Sequence, residues 1–182
     1  MPEGEINTFL EPERVVRYFE LKSGDHVADF GAGHGYFTIP MARLVGGDGK
    51  VYALDIQRSV LDIIRTKAKL EHLLNIETVW ADLDEPHGSK LKDRFIDFVV
   101  IANILFQAEK KGNLFREAYR ILSEGGRLAM VEWDQTPAPM GPAMQLRVKK
   151  ETAQSMAREA GFELDKEFEA GSHHYGLLFR KP

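Results

Sequence analysis

Two kinds of apolar pattern alternate along most of the chain. Short apolar runs bounded by turn residues are typical of strands in a parallel sheet, and longer segments with apolar residues three or four positions apart are typical of helices. The runs predict strands at 26–30, 51–55, 76–80, 95–101, 127–133, 162–169 and 175–180. The longer segments predict helices at 11–19, 36–45, 58–74, 106–122 and 150–160.

The order of these elements predicts the fold class. Strands that alternate with helices form a parallel sheet with helices on both faces, so we expect an α/β fold. The last two predicted strands have no helix between them, which indicates an antiparallel hairpin at the edge of the sheet. We treat residues 1–182 as a single domain in which residues 1–20 are an N-terminal segment.

A glycine-rich turn joins the first predicted strand to the helix that follows it. Gly31, Gly33 and Gly35 stand at alternate positions directly after the strand. Glycines permit positive φ and let a ligand approach the backbone closely, and a helix N-terminus offers free N–H groups. The turn is therefore the predicted centre of a ligand site. A tight turn that binds no ligand is the simpler alternative.

The glycine spacing and one carboxylate indicate the kind of ligand. The dinucleotide fingerprint is G-x-G-x-x-G, whereas this chain has G-x-G-x-G, with Tyr36 where the third glycine would stand. Asp29 precedes the first glycine by two residues, and its charge would repel a pyrophosphate but attract an ammonium group. A ligand with an ammonium group, a ribose and an adenine points to S-adenosylmethionine.

These residues carry a resemblance to a known family. The motif hydrophobic-(D/E)-x-G-x-G-x-G is matched by Asp29, Gly31, Gly33 and Gly35. The segment from Glu117 to Leu122, with the glycine pair after it, is similar to small-molecule methyltransferases of the quinone-biosynthesis kind. Over roughly residues 20–180, the chain resembles the class I S-adenosylmethionine-dependent methyltransferases. The resemblance implies a Rossmann-like, doubly wound, mostly parallel seven-stranded sheet with an antiparallel terminal hairpin strand.

Polar residues follow the next predicted strands at the edge where open α/β sheets bind ligands. Asp55 ends the second strand, 24 residues beyond Gly31, near the spacing at which a carboxylate meets a ribose. A helix N-terminal cap is the alternative role for Asp55. The resemblance places Asp82 beside the adenine amino group, with a polar loop residue as the alternative. Asn103 follows the fourth strand in the same way.

The expected cofactor is S-adenosylmethionine. The resemblance implies that Asp29 assists its methionine end, directly or through water, and that Asp55 holds the ribose. The residues predicted to contact the cofactor are Asp29, Phe30, Gly31, Gly33, Gly35, Tyr36, Asp55, Ile56, Asp82, Leu83 and Asn103.

Composition narrows the range of partners. Apolar residues make up 43% and charged residues 29% of the chain, and the net charge of −4 gives no global basic field that attracts nucleic acid. Cysteine is absent, which excludes disulfides, thiolate metal sites and cysteine nucleophiles. No apolar run is long enough for a membrane span and the N-terminus lacks the pattern of a signal peptide, so we expect a cytoplasmic location.

Methyl transfer from a sulfonium requires little acid–base catalysis by the protein. Proximity, alignment and a water-poor pocket suffice unless the acceptor must lose a proton. No catalytic base is assigned: Glu132 and Asp134 lie near the end of the fifth strand, and His34 is more simply a loop residue that shapes the pocket. His173 and His174 are expected to be surface residues of the final hairpin turn. No metal site is expected.

The expected acceptor is a small molecule, and its identity and attacking atom stay open. The site could be covered by residues 1–20, by the proline-rich loop 134–148 or by a second copy in a homodimer, and a plain connecting loop is equally open for 134–148. Two other classes of protein also stay open. One is an NAD-dependent oxidoreductase, against which Asp29 and Tyr36 argue, and the other is a non-catalytic cofactor-binding scaffold.

Overall fold

A computed structural model describes residues 9–182, and within this part of the chain seven strands form one sheet in the order β3-β2-β1-β4-β5-β7-β6. The strands are β1 (His26–Phe30), β2 (Lys50–Asp55), β3 (Ile76–Trp80), β4 (Ile96–Ala102), β5 (Leu122–Trp133), β6 (Glu163–Glu169) and β7 (His174–Arg180). The helices are α1 (Pro12–Val15), α2 (Thr38–Val45), α3 (Arg58–Leu70), α4 (Lys111–Ile121) and α5 (Lys150–Glu159). Two 3₁₀ turns, Val16–Phe19 and Met144–Leu146, complete the regular structure of residues 9–182.

The first five strands run parallel to one another, and β7 runs antiparallel to both β5 and β6. This confirms the predicted mixed sheet with its terminal antiparallel hairpin. The chain builds outwards from β1 to β3, then returns to place β4 on the other side of β1. The carboxyl ends of β1 and β4 are therefore the topological switch point, where open α/β sheets bind their ligands.

Both faces of the sheet are covered, which explains why the central strands have almost continuous apolar runs. On one face, residues such as Val99 and Met130 pack against α4 and α5. On the opposite face, residues such as Val100 and Val131 pack against α1, its 3₁₀ turn and α2. A smaller cluster on that second face joins β2 to α3. The strand alternation thus divides one apolar run between two cores.

Several predicted boundaries are wrong, and in each case a tertiary contact or a local turn decides the observed one. The helix predicted at 58–74 ends at Leu70, because His72 adopts a positive φ of 56° and the amide of Leu73 bonds back to Ala68. Leu74 is consequently 96% exposed rather than part of the inner face of the helix. The helix predicted at 36–45 begins at Thr38, and the one at 11–19 is divided between an α turn and a 3₁₀ turn.

The region between β4 and β5 shows the largest differences. The helix predicted at 106–122 begins only at Lys111, where Asp84 from another loop accepts hydrogen bonds from the amides of Glu109 and Lys110. The strand predicted at 127–133 begins at Leu122, so it includes the glycine pair Gly125 and Gly126. This glycine pair stays in the strand because its backbone groups bond to Lys181.

Residues 1–8 of the predicted N-terminal segment lie outside the described residues. Among residues 9–182, none of the helices has the length and apolar character needed to cross a membrane.

Candidate active site

The glycine turn has the backbone conformation that the sequence predicts. Gly31, Gly33 and Gly35 have φ values of 71°, 51° and 79°. The amides of Gly31 and Ala32 both donate to the carbonyl of Leu54, at 2.9 Å, so the turn is tied to the end of β2. A Cβ at position 31 would collide with the side chain of Ile104, which lies directly on this glycine. Both the positive φ and the lack of a side chain are therefore required at Gly31.

The carboxylate of Asp55 lies against this turn. One oxygen accepts a hydrogen bond from the amide of Gly33 at 3.0 Å, and the other accepts from the amide of Gln57 at 2.8 Å. The N-cap of α3 is Gln57, so the alternative role of Asp55 as the N-terminal cap of that helix is not observed. The half-buried carboxylate joins the end of β2 to the middle of the glycine turn.

Asp29 lies beneath the turn and is only 2% exposed. The hydroxyl of Thr38, the first residue of α2, donates to its carboxylate at 2.5 Å. Burial raises the pKa of Asp29 to about 7, although the hydrogen bond from Thr38 opposes the shift and the charge of Asp55 adds to it. The side chain of Asp29 therefore connects the end of β1 to the start of α2.

The two aromatic residues predicted around the turn have opposite surroundings. The side chain of Phe30 is fully buried in the core of the sheet, so only its backbone can take part in a site. Tyr36 is 64% exposed, and the ammonium of Lys67 lies 5.0 Å from the centre of its ring. The same ammonium donates to the carbonyl of His34 at 2.7 Å, which links the turn to α3.

An apolar and aromatic rim follows the ends of β2 and β3. Ile56 is exposed, and its carbonyl accepts a hydrogen bond from the indole of Trp80 at 2.8 Å. Arg58 and Lys90 lie 4.7 Å and 4.4 Å from the centre of the Trp80 ring. The sequence pattern predicts Trp80 only as a strand residue. A tryptophan at the end of an edge strand could, however, have indicated this aromatic rim.

Asp82 and Leu83 come next along the edge. Asp82 is half-buried and accepts a hydrogen bond from the amide of Asp84 at 3.1 Å, as an Asx turn does. Leu83 is partly buried and packs against the main core. The polar loop role, which was the alternative for Asp82, is thus observed in the structure, and its role toward adenine stays a prediction.

Asn103 is the last of the predicted site residues along this edge and directly follows β4. It has a positive φ of 54°, and its amide donates to the carbonyl of Val131 at 2.9 Å. Its side-chain oxygen is buried and has no hydrogen-bond partner within residues 9–182. A buried acceptor without a hydrogen-bond partner destabilises the folded state unless a ligand or a water molecule donates to it.

The end of β5 carries a buried carboxyl. Glu132 is 1% exposed, and one of its oxygens accepts hydrogen bonds from the amides of Ile104 and Leu105, both at 2.7 Å. Burial raises the pKa of Glu132 to about 7, against the lowering effect of these amides. The carboxyl is enclosed and already bonded, which is a poor arrangement for a base that must reach an acceptor.

The expectation that His174 is a surface turn residue is wrong. It is the first residue of β7 and is 6% exposed, with its ring 4.3 Å from that of Trp133. Burial lowers the pKa of His174 to about 4, so the imidazole is neutral at pH 7. His173 does lie in the turn before β7, where its ring is 5.1 Å from that of Phe9.

The loop after β5 is folded around one buried arginine. Arg147 donates to the carbonyls of Asp134, Thr136 and Pro142 at distances of 2.8–3.0 Å. Its guanidinium lies 5.2 Å from the ring of Trp133, onto which Gly141 also packs. Phe9 contacts the same ring edge-on at 5.9 Å. The loop and the start of the described chain therefore meet over the end of β5.

Two cavities flank the sheet. One of about 300 Å³ lies beside this loop and is lined by Asp134, Gln135, Lys149, Lys150, Glu151 and Tyr175. The other, of about 490 Å³, lies at the amino ends of β1 and β2, away from every predicted site residue. Within residues 9–182, no group of three or more His, Asp or Glu side chains is arranged to hold a metal ion.

The fold and this edge define a class of protein, namely a Rossmann-like α/β domain with a glycine turn at its switch point and a carboxylate at the end of β2 that is bonded to this turn. A family described as methyltransferase domain matches residues 27–126, which is more than half of the chain. The chain belongs to this family, among the class I S-adenosylmethionine-dependent methyltransferases. The sequence resemblance is thereby confirmed.

Two curated relatives are similar to part of this chain. The demethylmenaquinone methyltransferase of Listeria welshimeri is 28% identical over 131 residues, which are 70% of this chain and 52% of that protein. The ubiquinone/menaquinone biosynthesis C-methyltransferase UbiE of Vibrio campbellii is 30% identical over 115 residues, which are 63% of this chain and 43% of that protein. The chain spans about half the length of these curated relatives.

A solved structure confirms the fold class. The crystal structure of a SAM-dependent methyltransferase from Aquifex aeolicus matches with a TM-score of 0.86 and 24% identity, covering 95% of this chain and 90% of that one. At this identity the similarity concerns the fold. The activity must be argued from the site.

Proposed function

We propose that this protein transfers a methyl group from S-adenosylmethionine to a small-molecule acceptor. One observation carries the proposal: polar side chains at the ends of consecutive parallel strands line the same edge as a glycine turn with positive φ. Asp55 holds the amide of Gly33, and Asn103 presents a buried oxygen that lacks a partner within the described residues. Family membership and the relatives' names support the same activity.

The residues fit the parts of the cofactor. Asp55, which already lies at the glycine turn, would accept hydrogen bonds from the ribose hydroxyls. The exposed Ile56 would contact the adenine, together with Asp82 and Leu83. The glycine turn, with Tyr36 beside it, would hold the methionine part. Asp29 is buried and acts by holding the turn through Thr38 or by reaching the ligand through water.

The bound cofactor supplies the chemistry, since its sulfonium is an activated methyl donor. The protein's own residues align the acceptor and exclude water. A base is needed only if the acceptor must lose a proton. Glu132 is enclosed and bonded to two amides, so Asp134, which lines the 300 Å³ cavity, is the better placed of the two carboxylates.

The acceptor is proposed to bind on the β5 side of the cofactor. There, the loop around Arg147 and the chain at Phe9 contact Trp133, which supports a role for residues 1–20 and 134–148 in covering the site. The relatives are named for demethylmenaquinone and for ubiquinone or menaquinone biosynthesis, so hydroxylated quinol rings stand first in an acceptor screen. Cytoplasmic location and a homodimer stay predictions, which cell fractionation and sedimentation would check.

Calorimetric titration with S-adenosylhomocysteine, followed by NAD, tests the proposal. Binding of S-adenosylhomocysteine alone supports it and justifies the acceptor screen. Binding of NAD alone replaces it with the oxidoreductase alternative. Binding of S-adenosylhomocysteine without turnover of any acceptor in a broad panel favours the non-catalytic scaffold.

A further inference from the structure

The loop after β4, residues 103–110, is held at its beginning by a carboxyl group from β5. One oxygen of Glu132 accepts hydrogen bonds from the amides of both Ile104 and Leu105, each at 2.7 Å. Glu132 is buried, and Leu105 is fully buried in the core. The hydrogen bond from Leu105 is buried and the one from Ile104 is partly buried, so loss of the carboxyl oxygen would leave these donors without a protein partner.

Ile104, one of the two residues that Glu132 holds, packs on the glycine turn. The side chain of Ile104 fills the space above Gly31 that a Cβ would otherwise occupy. Asn103, one residue earlier, is kept at a φ of 54°, a conformation that non-glycine residues seldom adopt. A displacement of the Ile104 backbone would therefore move both the packing on Gly31 and the side chain of Asn103.

We propose that Glu132 is a positioning residue for cofactor binding: by holding the amides of Ile104 and Leu105, it sets Ile104 against the glycine turn and fixes the backbone next to Asn103. The inference rests on the proposed function, because the ligand it positions for is S-adenosylmethionine. It connects β5, on the acceptor side, to the turn at the end of β1.

The choice of residue at position 132 supports this role. The neighbours of Glu132 on the same face of β5 are Leu128 and Met130, both fully buried in the core. An apolar residue would suit such a place, and a buried carboxyl raises the cost of folding, as the upward shift of the pKa of Glu132 shows. The two amide bonds are the gain that offsets this cost.

Three variants test the proposal. Glu132→Gln keeps a carbonyl oxygen that can accept from both amides. Glu132→Leu removes that oxygen but keeps a side chain of similar size. Met130→Ala damages the same face of the core and retains the carboxyl group that holds the loop. Two quantities are measured: the affinity for S-adenosylhomocysteine by calorimetry, and the hydrogen-exchange rates of the Ile104 and Leu105 amides in the ligand-free protein by NMR.

Glu132→Leu should weaken the affinity by about tenfold or more and speed exchange of both amides by at least about tenfold. Glu132→Gln should stay within about threefold of the wild type in both quantities. Met130→Ala should lose stability, as large-to-small core changes do, and keep its affinity within the same limit. Wild-type affinity in Glu132→Leu, or an equal loss in Met130→Ala, overturns the proposal.

A fourth variant keeps the test decisive if Glu132→Leu does not fold. Ile104→Ala retains both amide bonds and removes the side chain that packs on Gly31, so a loss of affinity supports the proposal and unchanged affinity overturns it. Failure of the wild type to bind S-adenosylhomocysteine would instead overturn the proposed function. In that event, unchanged exchange in Glu132→Leu would also show that Glu132 does not hold the loop.

Discussion

At the scale of single residues, the carboxyl edge of the sheet is organised by side-chain oxygens that hold the backbone amides of other segments. Asp55 accepts from two amides in this way, and so does Glu132. A carboxylate that accepts two amides keeps a loop in one conformation, because any rearrangement leaves donors unpaired. Backbone positions that only glycine adopts easily complete the edge, above all Gly31.

Substitution of Asp55 should reduce cofactor affinity. Asp55→Ala removes the proposed ribose contacts, each worth about 1.5–3 kcal/mol when charge-assisted, so the affinity for S-adenosylhomocysteine should fall at least about tenfold. Asp62→Ala is the matched control, since it removes one exposed carboxylate from α3 and should leave the affinity unchanged. Calorimetry measures both, and equal affinities for Asp55→Ala and the wild type would remove the ribose assignment.

Three glycine substitutions separate backbone strain from steric conflict. Gly47→Ala meets open space and no positive φ, so its unfolding free energy should stay within about 0.5 kcal/mol of the wild type. Gly24→Ala has open space but a φ of 92°, which should cost about 1–2 kcal/mol. Gly31→Ala adds the conflict with Ile104 and should cost more than Gly24→Ala. Urea unfolding measures the series, and equal losses at 24 and 31 would contradict the packing of Ile104 on Gly31.

At the scale of elements, the boundaries that matter for the site are decided by side chains distant in sequence. Asp84 accepts from the amides of Glu109 and Lys110 and so fixes where α4 begins. The amine of Lys181 donates to the carbonyls of Tyr119 and Leu122, both at 2.7 Å, and so caps the other end of the helix. Loop 103–110 remains irregular because the contacts at its two ends come from Glu132 and Asp84.

Removal of the distant cap should shorten or loosen the start of α4. Asp84→Ala should lower the unfolding free energy by about 1–2 kcal/mol, the usual range for loss of an N-terminal cap. Asp84→Asn keeps an oxygen acceptor and should lose clearly less. Thermal unfolding of the two variants checks this, and an equal loss for both would point to the charge of Asp84 rather than to its role as an acceptor.

At the scale of the whole molecule, three buried titratable groups act on stability in two directions. Burial raises the pKa of Asp29 and of Glu132 to about 7, so the folded protein holds these protons more tightly than the unfolded chain. The stabilisation of the folded state by these two carboxyl groups is complete below about pH 4, and it is lost as the pH rises to about 7. Burial lowers the pKa of His174 to about 4, so its contribution is present above pH 6.5 and is lost as the pH falls.

The balance of these groups predicts an unusual pH dependence. At about 1.4 kcal/mol per unit of pKa shift, the wild type should lose roughly 3 kcal/mol of unfolding free energy between pH 5 and pH 8. The double variant Asp29→Asn, Glu132→Gln keeps only the opposing effect of His174 and should gain about 2 kcal/mol over the same range. Urea titrations at several pH values measure both slopes, and parallel slopes would show that the two carboxyls are not the source.

Much of the fold and of the site could be predicted because the signals are local. The apolar runs place all seven strands found in residues 9–182, and the hairpin follows from two strands without a helix between them. The glycine turn could be predicted because three glycines at alternate positions directly after a strand indicate a turn with positive φ. The burial of Asp29 was less evident, because it depends on other segments that cover both faces of β1.

The sequence by itself determined the class of the protein: the order of the elements, the glycine turn and the acidic residues at the strand ends are local features, fixed by side-chain periodicity and backbone freedom. Only the tertiary structure decided where α4 begins, that His174 is buried, and that Glu132 holds the loop which packs on Gly31. These features depend on contacts between segments far apart in the chain. Such contacts form only when the sheet brings the segments together, so no window of the sequence contains them.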